Sequence, residues 1–213
     1  MSTEWFRRSS WSDHDREEFY ARLKRSRSAG KKAQYLRIQA SYLAQAGYHS
    51  AAIELLDQMI AMYPERTQLA QAHVQKAESL AKLGRVDGAI QEFREALQAE
   101  RDIPNVRTNA WLDYAWFVVK LELAGFYDEV SRVLMEFRDE RGIKLPALEY
   151  RYAAVQALLA EACGEMESAQ DYANRAFAEA AKSHSGLRNH PNVGLVGSED
   201  SVFKDRLRAL AGR

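Results

Sequence analysis

Apolar residues recur along this chain at the three- and four-residue spacing of amphipathic helices, and single glycines separate the segments. After Gly47, the residues Ala52, Leu56 and Met59 fall on one helical face, and the segment closes at Pro64. Glycine and proline are the usual marks of helix ends. The pattern therefore predicts one amphipathic helix between a glycine turn and a proline.

A similar pattern returns around three later glycines, spaced 37, 41 and 39 residues apart, which indicates a repeat. Each unit is predicted to be a pair of apolar-striped helices joined by a tight turn at glycine. Small residues allow the two helices to approach closely, and large ones fill the space between them. The turn glycines are Gly47, Gly84, Gly125 and Gly164. When the four units are aligned on them, each set of equivalent positions forms a column; the two columns before the glycines are Ala40, Ala77, Val118, Ala157 and Leu43, Leu80, Leu121, Ala160. The three columns after the glycines are Ala52, Ala89, Val130, Ala169, then Leu56, Phe93, Leu134, Ala173, then Met59, Ala96, Phe137, Ala176.

These residues resemble the tetratricopeptide (TPR) family, whose unit is a helix pair of about 34 residues. The resemblance covers roughly residues 31–183, and the third and fourth units follow the pattern more loosely. It implies an all-α fold, a right-handed superhelix of about four TPR-like helix pairs with extra N- and C-terminal helices. The matching residues are Gly47, Ala52 and Pro64 in the first unit and Gly84, Ala89, Phe93 and Ala96 in the second.

The chain is predicted to have three parts: an N-terminal segment and capping helix (residues 1–30), the repeat array (31–183), and a loop with a C-terminal capping helix (184–213). End helices are expected because a stack of helix pairs exposes an apolar flank at each end. At the N-terminal end, Ser12 and Asp15 form a plausible capping box, and Phe19 and Leu23 give the helix a buried edge.

Trp5 and Trp11 are interpreted as anchors for the N-terminal segment, with an exposed docking arm as the alternative. The C-terminal helix is predicted to begin after Ser198 as N-cap. The loop before it, from His184 to Gly197, has the glycine content of irregular structure. Three apolar residues of the helix fall on one face: Phe203, Leu207 and Leu210.

The resemblance also implies that the first helix of each unit lines an inner groove. This groove would run from polar to apolar, which suits an amphipathic helix or an extended segment of a protein partner. The alternative is that the chain's own C-terminal segment fills the apolar end. The expected partner-binding residues are Gln34, Arg37, Ser41, Gln71, Glu78, Lys82 and Arg151, and the other groove positions are Val74, Leu112, Ala115, Val119, Glu122, Ala154 and Leu158.

Chaperone-binding members of the family hold a peptide's terminal carboxylate with Lys, Asn and Arg side chains. Arg37 matches that set, whereas Ser41 and Glu78 stand where the clamp has Asn or Lys. We therefore do not expect a receptor for chaperone tails.

One helix, WLDYAWFVVKLELAG, is crowded with the aromatic residues Trp111, Tyr114, Trp116 and Phe117. Aromatic residues of this kind are enriched at binding hot spots. A helix that is apolar almost all round is more typical of a buried position. We interpret it as a core helix, with Trp111 as the aromatic residue that reaches the surface and the partner.

The charges of the chain cancel, with thirty basic and thirty acidic residues, so no overall field points to nucleic acid or an anionic membrane. Six basic residues nevertheless cluster within eleven positions: Arg22, Lys24, Arg25, Arg27, Lys31 and Lys32. Because no aromatic residue lies within the run, we interpret the cluster as a solvated helix end. The alternatives are a nucleic-acid-binding or regulatory protein that uses this cluster, and an acidic protein partner.

Catalytic and cofactor chemistry has little support in the sequence. Cys163 is the lone cysteine, which excludes an internal disulfide, and His184 and His190 stand six residues apart without zinc-site spacing. A hydrolase or metal enzyme centred on the two histidines is the weakest hypothesis, and hydrogen bonds that pin their loop are the preferred role. No catalytic residue, metal ligand or cofactor is expected.

No stretch of about 18 apolar residues is present, so we expect no membrane span and a cytoplasmic location. The sequence predicts a non-catalytic protein–protein interaction module, an adaptor or scaffold, that binds a protein or peptide of unknown identity. Self-association is left open.

Overall fold

The computed structural model describes residues 4–138 and 144–212, without the side chains of residues 199–201. This part of the chain is entirely helical, with ten α-helices and two short 3-10 helices and no strand. The predicted all-α class is thereby confirmed. The chain divides into two compact units, unit 1 (Met1–Ala110) and unit 2 (Trp111–Arg213).

Unit 1 contains five α-helices that form a short N-terminal helix and two helix pairs. The pairs are α2 with α3 and α4 with α5, and α4 also packs on both α2 and α3. Large apolar side chains close the core between α1, α2 and α3, with Phe19, Leu36 and Leu56 fully buried. The helices are α1 (Asp13–Arg25), α2 (Ala29–Gln45), α3 (His49–Met62), α4 (Arg66–Lys82) and α5 (Val86–Asp102).

The N-terminal segment of unit 1 is held against α1 and α2. The Trp5 and Trp11 rings lie 5.3 and 5.5 Å from the ring of Phe19, which confirms the predicted anchoring role. The side chain of Gln39, itself fully buried, accepts from the backbone N–H of Arg8 at 3.0 Å and donates to its carbonyl at 2.8 Å. Two hydrogen bonds to one residue fix the position of the segment along α2.

The predicted capping box of α1 is also confirmed. The backbone N–H of Asp15 donates to the Ser12 hydroxyl at 3.2 Å, and the Ser12 N–H donates to the Asp15 carboxylate at 2.9 Å. The backbone N–H and the hydroxyl of Ser12 both donate to the Asp15 carboxylate and lower its pKa. The expected edge of the helix, Phe19 and Leu23, is buried.

Unit 2 begins with α6, whose first residue is the boundary residue Ala110. The pair α8 and α9 packs closely, and α10 packs on both of its members. The predicted C-terminal face is buried as expected, with Leu207 fully enclosed. The helices are α6 (Ala110–Lys120), a 3-10 helix (Ala124–Phe126), α7 (Tyr127–Phe137), α8 (Pro146–Ala162), α9 (Met166–Ala180), a 3-10 helix (Ser198–Phe203) and α10 (Lys204–Leu210).

The C-terminal helix starts later than the sequence indicates. Ser198 was predicted to cap an α-helix, but it is the first residue of the 3-10 helix, and α10 begins at Lys204. Phe203 is the last residue of the 3-10 helix, so the 3-10 helix and α10 together carry the apolar face.

Four helices, α2, α4, α6 and α8, end in the same hydrogen-bonded motif. In each, the N–H two residues beyond the helix's capping residue donates back to a carbonyl of the last turn: Tyr48 to Leu43, Arg85 to Leu80, Leu123 to Val118 and Glu165 to Ala160, at 2.8–3.1 Å. This Schellman motif needs one residue with a left-handed backbone. Glycine supplies it three times, with φ of 87° at Gly47, 71° at Gly84 and 78° at Gly164.

The third motif departs from the predicted alignment, because its left-handed residue is Glu122 (φ 52°) and not Gly125. If Gly125 were the turn residue, Leu121 would be equivalent to the buried residues Leu43 and Leu80, but the Leu121 side chain is 43% exposed. Val118, which is fully buried, is the residue of this motif that is equivalent to Leu43, Leu80 and Ala160 in the other three. The three extra residues before α7 form the 3-10 helix Ala124–Phe126.

Glu122→Gly is expected to stabilise the protein by about 0.5–1 kcal/mol. A left-handed backbone costs a residue with a Cβ roughly 1–2 kcal/mol, and glycine is free of that cost. The change also removes the exposed ion pair between Glu122 and Arg206, at 3.2 Å, which is worth a few tenths of a kcal/mol at most. Thermal unfolding of the full chain measures the gain. Glu122→Ala, which removes the same ion pair but keeps a Cβ, is the matched control and should show no gain.

Candidate functional site

The first candidate surface is the face that α2 and α4 share in unit 1. The Arg37 Nε on α2 donates to Gln68 Oε1 on α4 at 2.6 Å and joins the two helices. Burial lowers the pKa of Arg37. The predicted groove residues Gln34, Glu78 and Lys82 are exposed, whereas Ser41 and Gln71 are half-buried. The face is therefore polar and accessible, except at Val74, which is buried.

The apolar groove positions predicted for unit 2 are core residues. Leu112, Ala115 and Val119 on α6, and Ala154 and Leu158 on α8, are at most 2% exposed. The resemblance to the TPR family implied groove positions for them, because their helices match the first helix of a repeat unit. They face neighbouring helices, so they offer no surface to a partner.

Arg151, another predicted groove residue, is engaged within unit 2. Its Nη1 lies 2.9 Å from Oδ1 of Asp113, and its guanidinium lies 4.9 Å from the centre of the Trp116 ring. Burial raises the pKa of Asp113, and the charge and hydrogen bond of Arg151 oppose that rise. Arg151 thus compensates a carboxylate that is mostly removed from water.

The C-terminal segment lies against the same part of unit 2. The ring of Phe203 meets the Trp116 ring edge to face, with 4.8 Å between their centres, and the 3-10 helix Ser198–Phe203 packs on α8. The C-terminal segment therefore covers part of Trp116, a residue that was not among the predicted groove positions.

The aromatic residues of α6 have different environments. Tyr114 is fully buried, and its hydroxyl donates to Oε1 of Glu129 on α7 at 3.0 Å. Trp111, Trp116 and Phe117 are half-buried. The Trp111 ring lies 6.1 Å from that of Tyr152 on α8, so Trp111 reaches the surface in part while it packs within unit 2.

The second candidate surface is a cleft of about 400 Å³ at the junction of α1 and α2 in unit 1. Four of the six residues of the predicted basic cluster line it. Two aromatic residues, Trp5 and Tyr35, stand beside them. We call it the basic cleft; its lining is Trp5, Arg22, Arg25, Ser26, Arg27, Ser28, Lys31 and Tyr35.

The other two residues of the cluster lie outside the basic cleft. Lys24 is exposed, and the Lys32 ammonium sits 5.3 Å from the centre of the Tyr63 ring. The run of basic residues contains no aromatic residue, so the sequence predicted a solvated helix end without aromatic partners. Trp5 comes from well upstream, and the only signal for its place was its expected anchoring to the first helices.

The loop from His184 to Gly197 is closed mainly by hydrogen bonds to backbone groups. The Ser185 N–H donates to the carbonyl of Pro191 at 2.7 Å, and the Ser185 hydroxyl donates to that of His190 at 2.7 Å. His184 pins the loop with its ring, whose Nδ1 accepts from the Gly186 N–H at 2.9 Å. The His190 carbonyl accepts from Ser185, and no hydrogen bond within the described residues engages the His190 ring.

No family model, curated protein or solved structure matches this chain. Among the side chains that the structure describes, no group of three or more His, Cys, Asp or Glu residues is placed to hold a metal ion. None of the helices in the described part of the chain has both the length and the apolar character required to cross a bilayer. The candidate function is therefore argued from the shared face of α2 and α4 and from the basic cleft.

Proposed function

We propose that this chain is a non-catalytic adaptor or scaffold of TPR-like helix pairs, a cytoplasmic module that binds a protein or peptide partner through the shared face of α2 and α4. The observation that carries the proposal is that this face is polar and open to solvent, and that its two helices are tied together by the hydrogen bond from Arg37 to Gln68. A preformed surface of this kind binds with little rearrangement.

The repeated helix ending supports the TPR-like architecture. The four helices α2, α4, α6 and α8 close with one motif, and each is followed by a second helix after a short connection. In unit 1, α4 packs on both helices of the preceding pair, as neighbouring units of a helical repeat do. By extension, the array would be a right-handed superhelix of about four pairs.

Unit 1 is the better place for a partner than unit 2. In unit 2, Arg151 is committed to Asp113, and Phe203 covers part of Trp116. On the face of α2 and α4, the Gln34 and Lys82 side chains are exposed, and no hydrogen bond or ion pair within the described residues engages them. Their amide and ammonium groups can therefore donate to the backbone carbonyls and acidic side chains of an extended segment.

The triple variant Gln34→Ala/Gln71→Ala/Lys82→Ala is expected to weaken partner binding at least tenfold without loss of fold. Two lost hydrogen bonds of about 1 kcal/mol each exceed the 1.4 kcal/mol that corresponds to a factor of ten. Alanine favours the helical backbone, so the stability cost is small. The full-length protein is used to capture its partner from extracts of its own cells, and the affinity of the purified partner is then measured for each variant.

The matched control is Glu54→Ala/Gln91→Ala/Gln98→Ala, which removes three exposed polar side chains from the second helices of the same pairs. Glu54 lies on α3, and the two glutamines lie on α5; all three are exposed. Equal loss of binding in both variants, or none in either, would contradict the proposal. Light scattering on the purified chain tests self-association, because a second copy of the chain would then be the partner on this face.

A further inference from the structure

The basic cleft brings together four short segments of unit 1. Trp5 comes from the N-terminal segment, Arg22 and Arg25 from the last turns of α1, and Lys31 from the first turn of α2. The connection between the helices adds Arg27 and the two serine hydroxyls. Its backbone is extended at Ser26 (ψ 125°) and at Ser28 (ψ 126°), which separates the two helix ends and opens the space between them.

Three of the four cations at the basic cleft have no acidic partner among the residues that the structure describes. Arg22 is paired with Glu18 at 2.6 Å. Among the described residues, no ion pair engages the side chains of Arg25, Arg27 or Lys31, all of which are exposed. Glu65, whose carboxylate approaches Gly30 at the start of α2, does not line the cleft. A strong local excess of positive charge therefore exists in a chain whose overall charge is zero.

The aromatic walls of the basic cleft are held rigidly. The Trp5 ring packs 4.8 Å from the ring of Tyr35 and 5.3 Å from that of Phe19. The clamp of Gln39 on the Arg8 backbone fixes the segment that carries Trp5. Trp5 and Tyr35 are both half-buried, so part of each ring faces the cleft.

We propose that the basic cleft binds the phosphate groups of a small, multiply charged phosphate ligand. Guanidinium groups bind phosphate oxygens in a bidentate manner, and such charge-assisted hydrogen bonds are about twice as strong as neutral ones. Arg25 and Arg27 supply this chemistry, with Lys31 as an added point charge. The Ser26 hydroxyl is a further donor. A volume of about 400 Å³ lies within the range of small-molecule sites.

A compact ligand fits the basic cleft better than a nucleic-acid strand. Binding along a strand needs a stripe of cations that follows the backbone. Here Lys24 and Lys32 fall outside the lining, and Lys32 is engaged with Tyr63, so the cations converge on one space. This inference concerns a different surface from the proposed partner-binding face, and neither depends on the other.

Two probes separate phosphate binding from ring binding: inorganic tripolyphosphate and metal-free ATP, each titrated calorimetrically into the full-length protein at low salt. Both are expected to bind. The double variant Arg25→Ala/Arg27→Ala should bind each at least tenfold more weakly, since two charge-assisted hydrogen-bonding groups are lost. The matched control is Arg85→Ala/Arg107→Ala, which removes two arginines from exposed positions elsewhere in unit 1 and should leave both affinities unchanged.

The two probes also indicate the kind of natural ligand. Tighter binding of ATP than of tripolyphosphate supports a nucleotide whose ring contacts Trp5 and Tyr35, whereas equal binding supports a ligand recognised through its phosphates alone. Failure of both probes to bind overturns the proposal, as does an equal loss in the control variant. Binding of a single-stranded oligonucleotide in the absence of binding by either probe also overturns it, in favour of a nucleic-acid surface. Circular dichroism verifies that each variant is folded.

Discussion

Arg151→Ala is expected to destabilise unit 2 by about 3 kcal/mol. Removal of one partner of a buried ion pair leaves the other charge without compensation, which typically costs 3–5 kcal/mol. The Arg151 and Asp113 side chains remain 21% and 17% exposed, so the lower end of that range applies. The variant also loses the contact of the guanidinium with Trp116. Hydrogen exchange is the measurement, because amides of α6 and α8 should lose protection while those of α2 and α3 in unit 1 do not.

The loss in Arg151→Ala should depend on pH. Burial raises the pKa of Asp113, and Arg151→Ala removes the charge and the hydrogen bond that oppose this rise, so the folded state favours the neutral acid still more. A raised pKa in the folded state stabilises the fold at low pH, and this contribution is lost as pH rises. The deficit should therefore be larger at pH 7 than near pH 4.5. The control is Asp113→Asn/Arg151→Ala, which removes both charges and should lose less stability than Arg151→Ala alone. An equal loss in the two variants, without pH dependence, would show that the pairing of charges is not the cause.

Phe203→Ala is expected to release the C-terminal segment from unit 2 at a cost of about 3 kcal/mol. The side chain is 7% exposed, and truncation of a buried phenylalanine typically costs 3–5 kcal/mol. Since its ring packs against Trp116, the indole should become more accessible to water. The measurements are a red shift and easier quenching of tryptophan fluorescence, with faster hydrogen exchange in α10.

The neighbouring residue supplies the control for Phe203→Ala. Val202 is 50% exposed in the same 3-10 helix, so Val202→Ala should leave both fluorescence and exchange unchanged. A red shift of similar size in both variants would mean that the segment does not depend on the contact with Trp116. An unchanged spectrum in Phe203→Ala would mean that Trp116 is shielded by something other than the C-terminal segment.

Arg151 also shows the limit of designing a probe from sequence alone. As a predicted groove residue, it would be the natural position for a charge reversal that tests partner binding. In the structure, such a reversal places a second negative charge beside Asp113. Loss of binding would then report damage to unit 2. Gln34 and Lys82, which are exposed, are the sounder positions.

Much of the helical core could be read from the sequence. The columns after the glycines, such as Ala52, Ala89 and Ala169, are fully buried as predicted. These positions depend on helical periodicity and on small residues at close helix contacts, and both are local properties of the chain. The Ser12 capping box is local for the same reason, since its two partners are three residues apart.

The third turn could not be read in the same way. Gly125 follows the spacing of the other glycines, yet the backbone turns at Glu122. Glycine only makes a left-handed conformation easier; it does not require one there. The packing of Val118 and the 3-10 helix before α7 place the turn three residues earlier.

By itself, the sequence determined which segments are helices, which of their faces are apolar, and where most of them end, because periodicity and capping act over a few residues. Only the tertiary structure decided which charges are available to a ligand or partner. It paired Arg151 with Asp113, and it left Arg25 and Arg27 beside Trp5 without acidic partners in the described part of the chain. The physical reason is that ion pairs and clefts depend on distances between residues that are far apart in the chain, and those distances are set when helices pack.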